Sequence, residues 1–456
     1  MQNAVIHKGQ EILLSIKRIG INGEGIGYYK RMAIFVDNAL PGEECVVRIT
    51  KAFEKYAVGS LVMVKGKENK FRTKPLCPYY YQCGGCNMQH ISYEGQLQYK
   101  EEIVKEAFDK YFNKELNPKM FKPIVGSDET FRYRNKAKLP IRYDNKHLVS
   151  GLYASDDNKL VYIEDCLIEK EDIRLCVKKV LDYLTKYQVI AYNPRLKDGV
   201  LRHLVVRSST NTKEIQLTLI LYKEDIRTCN IAKDLINIEH VESVYISIND
   251  DLDSLENFGK KTYLLVGKES IKETIGDYQF ELLPTSFFQL NRNQTKKLYD
   301  KVVELSKLSG NEKLIDGFCG VGTIGIYLSK YVKEVRGVDN NKEGIINAEN
   351  NVSLNHLTNT SFYHGDMEKQ ITKWHKEGWD ADILVIDPPR SGLDAAMIKY
   401  LQEHPIKKII YVSCNPSTLA KNCSHLEKKY QIHSIQPFDM FPNTSNVECI
   451  VVLEKK

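Results

Sequence analysis

The chain has 456 residues, 42% hydrophobic and 27% charged, with a formal net charge of +6. That is too long for one ordinary core, and the apolar content is normal for a soluble globular protein. No run of about 18 apolar residues occurs and residues 1–8 hold no signal-peptide apolar region, so no membrane span and a cytoplasmic location are expected. Eleven cysteines without a secretion signal argue against a disulfide framework and for metal, cluster or catalytic roles for those that are grouped. The isolated Cys45, Cys176, Cys229 and Cys449 read as core residues.

Residues 1–75 carry thirteen Lys and Arg against seven Asp and Glu, which accounts for the whole net charge. A basic leading segment suits a polyanionic partner, though it also suits a solubilising surface. Alternation over Glu11–Ile16, glycines at 20, 23, 25 and 27, the run Ala33–Val36, the turn Leu40-Pro41-Gly42-Glu43, and the runs Cys45–Ile49 and Tyr56–Lys65 predict about five short strands. This is the pattern of a small OB-type barrel over residues 1–66, a scaffold that binds single-stranded nucleic acid by stacking and charge. The order of elements resembles a TRAM domain.

Cys77, Cys83 and Cys86 follow within ten residues as C-x5-C-x2-C. A fourth ligand has to come from a distance, and Cys166 is the best candidate. Four thiolates hold either a zinc ion or a [4Fe–4S] cluster; the uneven spacing is less like paired zinc knuckles. Residues 91–113, with Leu97, Ile103, Val104, Ala107, Phe108, Tyr111 and Phe112 near one side, predict a connecting helix suited to docking on a domain remote in sequence. Residues 119–147 interleave Phe121, Phe131, Tyr133 and Tyr143 with Lys122, Arg132, Arg134, Lys136, Lys138 and Arg142, a mixture suited to phosphate contact and base stacking. Strands and helices then alternate to residue 282, which gives an α+β central domain over 67–285.

From residue 286 the pattern becomes β-α-β. A strand over Lys313–Ile315 meets Asp316-Gly317-Phe318-Cys319-Gly320-Val321-Gly322-Thr323, and a second over Glu334–Val338 ends in Asp339. A third leads to Asp366, and a fourth, Asp382–Ile386, to Asp387-Pro388-Pro389-Arg390. A fifth, Ile409–Val412, delivers Ser413-Cys414-Asn415-Pro416, after which Ser417 and Thr418 are expected to cap a helix. This is a doubly wound α/β domain over 286–456, whose ligands sit beyond the carboxyl ends of the strands. The glycine turn alone fits a dinucleotide as well as any other nucleoside ligand. An Asp-Pro-Pro turn resembles that of S-adenosylmethionine-dependent methyltransferases acting on nucleic-acid bases. Carbon 5 of uracil is a poor nucleophile that becomes enolate-like once a thiolate adds to carbon 6. Cys414 can supply that thiolate and Asp387, one strand over, a contact along the base edge. Glu448, before a final strand Ile450–Leu453, can take the proton from carbon 5. The plainer alternatives are a core thiol and a surface carboxylate.

Together with Ser286-Phe287-Phe288-Gln289 and Val447-Glu448, these motifs resemble the RNA uracil-5-methyltransferases over nearly the whole chain. The nearest pattern is that of the 23S rRNA branch with a TRAM domain and an iron–sulfur cluster. The resemblance implies a [4Fe–4S] cluster on Cys77, Cys83, Cys86 and Cys166. It also implies S-adenosylmethionine held by Gln289, Phe318, Gly320, Thr323, Asp339, Asp366 and Asp387. Cys414 would be the nucleophile and Glu448 the base, with Asp387 where donor and base meet. The substrate would be a flipped-out uridine of 23S rRNA, with tRNA as the alternative, and the protein a monomer. A non-catalytic iron–sulfur RNA-binding protein is the competing class.

Overall fold

The computed structural model describes residues 6–112, 116–155, 159–252 and 258–456. Residues 1–5 of the leading segment and residue 113 of the expected helix lie outside them. Among the described residues, five strands close a barrel: β1 (Glu11–Ile19), β2 (Gly25–Tyr29), β3 (Met32–Asp37), β4 (Glu44–Ala52) and β5 (Tyr56–Lys65), in the order β1-β2-β3-β5-β4. Alternation drives closure. In β1 every second side chain (Ile12, Leu14, Ile16) is buried, and these meet Ile34, Val36, Cys45, Val47 and Ile49 in one core.

Helix α1 (Tyr93–Tyr111) follows, its N-terminus capped by the Ser92 side chain. A second sheet is built from β6 (Lys136–Asp144), β7 (His147–Tyr153), β8 (Leu160–Tyr162), β9 (Leu201–Ser208), β10 (Ile215–Leu221), β11 (Val241–Ile248) and β12 (Lys261–Gly267). Its order is β12-β11-β10-β9-β6-β7-β8. The amphipathic α2 (Glu171–Lys186) and the short α3 (Ile226–Lys233) pack on its apolar face.

A hairpin, β13 (Ile271–Ile275) and β14 (Tyr278–Leu282), then precedes α4 (Arg292–Ser306). The sequence pattern grouped this hairpin with the central domain. In the structure Ile271, Ile275, Phe280 and Leu282 sit in one cluster with Leu298, Val302, Ile326 and Val385 of the C-terminal unit. A two-stranded hairpin cannot bury its own apolar face, so it takes the nearest available core.

The C-terminal unit runs β15 (Lys313–Gly317), α5 (Thr323–Leu328), β16 (Glu334–Asp339), α6 (Lys342–Leu354), β17 (Thr360–His364), α7 (Met367–Lys376), β18 (Ile383–Ile386), α8 (Ala395–Glu403), β19 (Lys408–Ser413), α9 (Pro416–Leu426), β20 (Tyr430–Phe438) and β21 (Glu448–Lys455). The sheet order is β17-β16-β15-β18-β19-β21-β20, with β15 to β19 parallel and the last two strands antiparallel. Two details differ from the sequence reading. The α9 cap is Asn415, whose Oδ1 accepts the amides of Ser417 and Thr418, because Pro416 takes the first helical position and puts the cap one residue earlier. Glu448 opens β21 rather than preceding it, in a hairpin with β20, a strand that the sequence reading did not include.

Phe71, Met88, Ile91 and helix α1 belong by packing to the C-terminal unit. Phe71, Met88, Ile91, Tyr99, Ile103 and Phe108 share a core with Tyr411, Leu419, Ile435 and Val451. At its centre the ammonium of Lys100 lies 2.5 Å from Asp439 Oδ1, both side chains fully enclosed, and also donates to the Phe441 carbonyl at 3.1 Å. Burial lowers the Lys100 pKa, against the pull of Asp439. Removing one member of such a pair strands a buried charge, whereas replacing both with apolar groups is close to neutral. Lys100→Met is therefore expected to cost about 3–5 kcal/mol, and Lys100→Met/Asp439→Leu to recover most of it, read from urea midpoints of the single and double variants.

Candidate active site

Three strand ends meet at the edge of the C-terminal sheet. β19 and β21 pair Ser413 with Cys449, so one step beyond the ladder Cys414 faces Glu448. On the other side β18 pairs with β19 up to Ile386–Tyr411, which brings Asp387 to the same end. The strand before Cys414 is sealed, Ile409 to Val412 being at most 1% exposed, while Cys414 itself is half-buried. Its position is fixed from both sides. Ser413 and Asn415 bond one another, and Asn415 and Thr418 donate to the Arg390 carbonyl at 3.2 and 3.1 Å. Gly392, at φ +76°, lets that loop lie against α9, where a Cβ would come within 2.3 Å of Asn422 Oδ1.

The charges share one poorly hydrated pocket. Burial pushes Cys414 up to about 11; Glu448 and Asp387 push it further, and Arg390 pulls it down by charge and by hydrogen bond. Burial raises Glu448 to about 8, with Asp387 adding and Arg390 opposing. Asp387 is raised to about 7 by burial. Arg390 is thus the cation facing Cys414 and Glu448, and it also holds Asn446 Oδ1 at 2.8 Å, two residues before Glu448. Sequence reasoning quoted Arg390 within its motif but gave it no task. Its adjacency to Glu448 and Cys414 is a tertiary fact, and the guanidinium beside the Pro-Pro turn was the available signal.

The glycine turn lies next along the sheet. Phe318, Gly320 and Gly322 all have positive φ (+61°, +54° and +80°), curling the backbone after β15. A Cβ on Gly322 would meet the Phe362 ring at 2.6 Å, whereas one on Gly320 would meet nothing within 4 Å, so Gly320 borders open space. Asp339 accepts the Gly320 amide at 2.9 Å and the Asn341 amide at 2.8 Å, tying the turn to the end of β16. Asp316, beneath the turn, is fully buried, accepts the Gly325 amide at 2.8 Å, and is raised to about 8 by burial. Thr323 shares a hydrogen bond of 2.8 Å with Tyr299. Asp366 is exposed and caps α7 through the Lys369 amide. Gln289 stands in a loop gripped by the central sheet: Asn135 donates to the Gln289 carbonyl at 3.1 Å, Lys136 to Pro284 at 3.1 Å, and Arg207 to Leu283 and Ser286. Burial lowers both Lys136 and Arg207, the latter to about 10.

The cysteines converge elsewhere. Cys83, Cys86 and Cys166 surround one small core with Tyr133, Ile163 and Ile168. Burial raises Cys86 to about 11, and Cys83 and Cys77 add to it; burial raises Cys166 to about 12, with Glu169 and Cys86 adding. Among the described residues, however, no three His, Cys, Asp or Glu side chains are disposed to hold a metal ion. No described helix is long and apolar enough to cross a membrane.

A doubly wound sheet with a curled glycine turn and acids closing the next strands defines a nucleoside-binding α/β enzyme of the S-adenosylmethionine-dependent methyltransferase type. Residues 92–456 match the tRNA (Uracil-5-)-methyltransferase family, and residues 7–62 match the TRAM domain. An RNA methyltransferase of Bacillus cereus is 41% identical over 98% of this chain and 97% of its own length. One of Halalkalibacterium halodurans is 41% identical over 99% and 98%. The tRNA (uracil-54, C5)-methyltransferase of Pyrococcus abyssi, solved with S-adenosyl-L-homocysteine, is 28% identical and superposes with a TM-score of 0.76 over 97% of this chain and 99% of that one. The chain belongs to the tRNA (uracil-5-)-methyltransferase family, and its activity is S-adenosylmethionine-dependent methylation of uracil carbon 5 in RNA.

The raised carboxyls carry a consequence for stability. Both sit above the unfolded carboxylate value of about 4, so folding takes up protons. The stability from their neutral forms is complete below that value and is lost as pH rises through about 7 for Asp387 and about 8 for Glu448. Asp387→Asn and Glu448→Gln are expected to raise the melting temperature at pH 9 and to leave it nearly unchanged at pH 5, as followed by thermal scans. Glu448→Gln also removes a charge that holds Cys414 up. Its Cys414 should therefore alkylate faster than wild type at pH 9, because more of it is thiolate; peptide mass spectrometry gives the rate.

Proposed function

We propose that the chain methylates a uridine through a covalent adduct on Cys414. The observation that carries this reading is the common pocket of Cys414, Glu448 and Asp387 at adjacent strand ends, with Arg390 as its cation. Arg390 offsets the cost of ionising Cys414, whose sulfur adds to carbon 6 and makes carbon 5 nucleophilic. S-adenosylmethionine supplies the electrophilic methyl group to that carbon. Glu448, whose raised pKa suits proton uptake near neutrality, takes the carbon 5 proton. The double bond reforms and the Cys414 thiolate leaves. Asp387 holds the base edge beside the donor. Neither face of a stacked base admits both the thiol and the donor, so the uridine is flipped out.

For the donor, the open space at Gly320 beside Asp339 suits a nucleoside, and Gln289, Phe318, Thr323, Asp366 and Asp387 are the further residues that would hold it. Of the two RNA classes, the comparisons favour tRNA, because the matching family and the Pyrococcus abyssi enzyme are both described by it. They lend no support to the 23S rRNA expectation drawn from motif resemblance. The barrel and the basic 119–147 stretch would hold the surrounding RNA.

The four cysteines suit a [4Fe–4S] cluster by donor chemistry, since thiols from two distant segments gather round one apolar core. Ligation would still require the side chains to close in, and no step of methyl transfer passes through the group. Anaerobically purified protein is expected to contain iron and acid-labile sulfide, and Cys166→Ala to lose both; a wild-type preparation with neither would remove the cluster from this reading.

The function is tested with labelled S-adenosylmethionine and unmodified tRNA and 23S rRNA in separate reactions, digested to nucleosides. Label in 5-methyluridine from tRNA is expected; label from rRNA alone would keep the chemistry and overturn the substrate. Cys414→Ala should lower the rate by about 10³-fold or more, and full activity in that variant would sink the covalent route.

A further inference from the structure

Glu448 is reached through residues 439–447, the connection between β20 and β21. This stretch has no regular structure, yet most of it is buried. Its polar backbone must therefore find partners. Asn291 and Gln294 donate to the Met440 and Asp439 carbonyls, and the stretch from Pro442 to Ser445 finds its partners in the N-terminal half of the chain. The amides of Asn87 and Met88 both donate to the Asn443 carbonyl, at 3.2 and 3.0 Å. Gln96 accepts the Asn443 amide at 2.8 Å and donates to Asn443 Oδ1 at 3.3 Å. Asn87 accepts the Ser445 amide at 2.8 Å and donates to Ser445 Oγ at 3.0 Å. Tyr133 donates to the Pro442 carbonyl at 3.0 Å. Asn443 sits in the left-handed region at φ +68°, a conformation that this set of partners holds against its intrinsic cost.

Cys414 is held differently. Its strand lies between β18 and β21, and its turn is fastened by Asn415 and Thr418 to the Arg390 loop. None of those bonds involves residues 87–100. The two supports differ but meet: the turn of the nucleophile is fastened to the Arg390 loop, the connection that leads into Glu448 and β21 is clamped by Asn87 and Gln96, and Arg390 touches that connection only at its exposed Asn446. Asn87 also donates to the Asn22 carbonyl of the barrel and adjoins Cys86. It therefore joins the barrel turn and the cysteine segment to the connection that ends in Glu448.

We propose that Asn87 and Gln96 are positioning residues for Glu448, so that they govern proton removal and release of the methylated base without governing attack by Cys414. The inference rests on the reading of Glu448 as the base. Misplacing a reacting group by about 1 Å costs about 10²-fold, and a loosened connection shifts Glu448 without moving Cys414.

The test uses Asn87→Ala, Gln96→Leu and, as reference, Glu448→Gln in the full-length enzyme, with whichever RNA accepts label above, transcribed with 5-tritiated uridine. Two rates are taken in single turnover: appearance of the enzyme–RNA adduct on denaturing gels, and release of tritium to water. Affinity for S-adenosyl-L-homocysteine and the melting profile identify variants that keep their fold. In those variants adduct formation should stay within about two-fold of wild type while tritium release slows by about 10-fold or more, so that methylated adduct accumulates. Equal loss of both rates, or wild-type release, in a folded Asn87 or Gln96 variant overturns the proposal. If Glu448→Gln itself releases tritium at the wild-type rate, the assignment of the base falls instead, and the positioning role falls with it. Accumulation in Glu448→Gln without accumulation in the other two variants removes the positioning role alone.

Discussion

A lysine on helix α1 and an aspartate more than 300 residues later form an ion pair that water does not reach. The Coulomb gain of such a pair barely offsets the desolvation of its members, so it is a device of register more than of stability. With Asp439 fixed against Lys100, the chain between β20 and β21 has one path, and Glu448 arrives opposite Cys414 at the end of it. Helix α1 is part of the C-terminal unit by packing, although a barrel and a second sheet bracket it in sequence, while Cys83 and Cys86, just before it, pack on Tyr133, Ile163 and Ile168.

The active pocket shows the opposite economy. Its two carboxyls and its thiol are held where ionisation is disfavoured, and Arg390 only partly compensates Cys414 and Glu448. That arrangement lowers stability at high pH and keeps each group near a protonation change that chemistry can use. The donor side is built on backbone instead: positive φ at three residues of the glycine turn, and an Asp339 carboxylate that accepts amides on both oxygens. A backbone-built turn thus abuts a titratable pocket, the places proposed for donor and base, and β15 and β18 supply the neighbouring ends of both.

The second sheet contributes by gripping. Lys136 and Arg207 reach from it to the carbonyls of the loop that carries Phe287, Phe288 and Gln289. They are buried beside one another and repel, which lowers Lys136 further. Carbonyl acceptors satisfy them, so the loop beside the donor cradle is fixed to the second sheet by buried hydrogen bonds.

Much of this was legible in the chain. Period-two alternation marked the barrel strands, and an apolar run closed by Ser-Cys-Asn-Pro marked β19, because burial of one or both faces leaves its period in the sequence. The residues now found in one pocket, Cys414, Asp387 and Glu448, were named from motif and chemistry. The sequence could not show that Lys100 pairs with Asp439, that Asn87 and Gln96 hold the approach to Glu448, or that Arg390 faces Cys414 and Glu448. Those contacts join residues of different elements, the first two sets hundreds of positions apart, through side chains that carry no periodicity. The hairpin at 271–282 was assigned to the wrong neighbour for a related reason: its alternation fixes which face is apolar, and only packing decides whose core that face joins. Local pattern determined the elements and the chemical groups at their ends. Tertiary burial decided which groups meet, and hence which of them are charged.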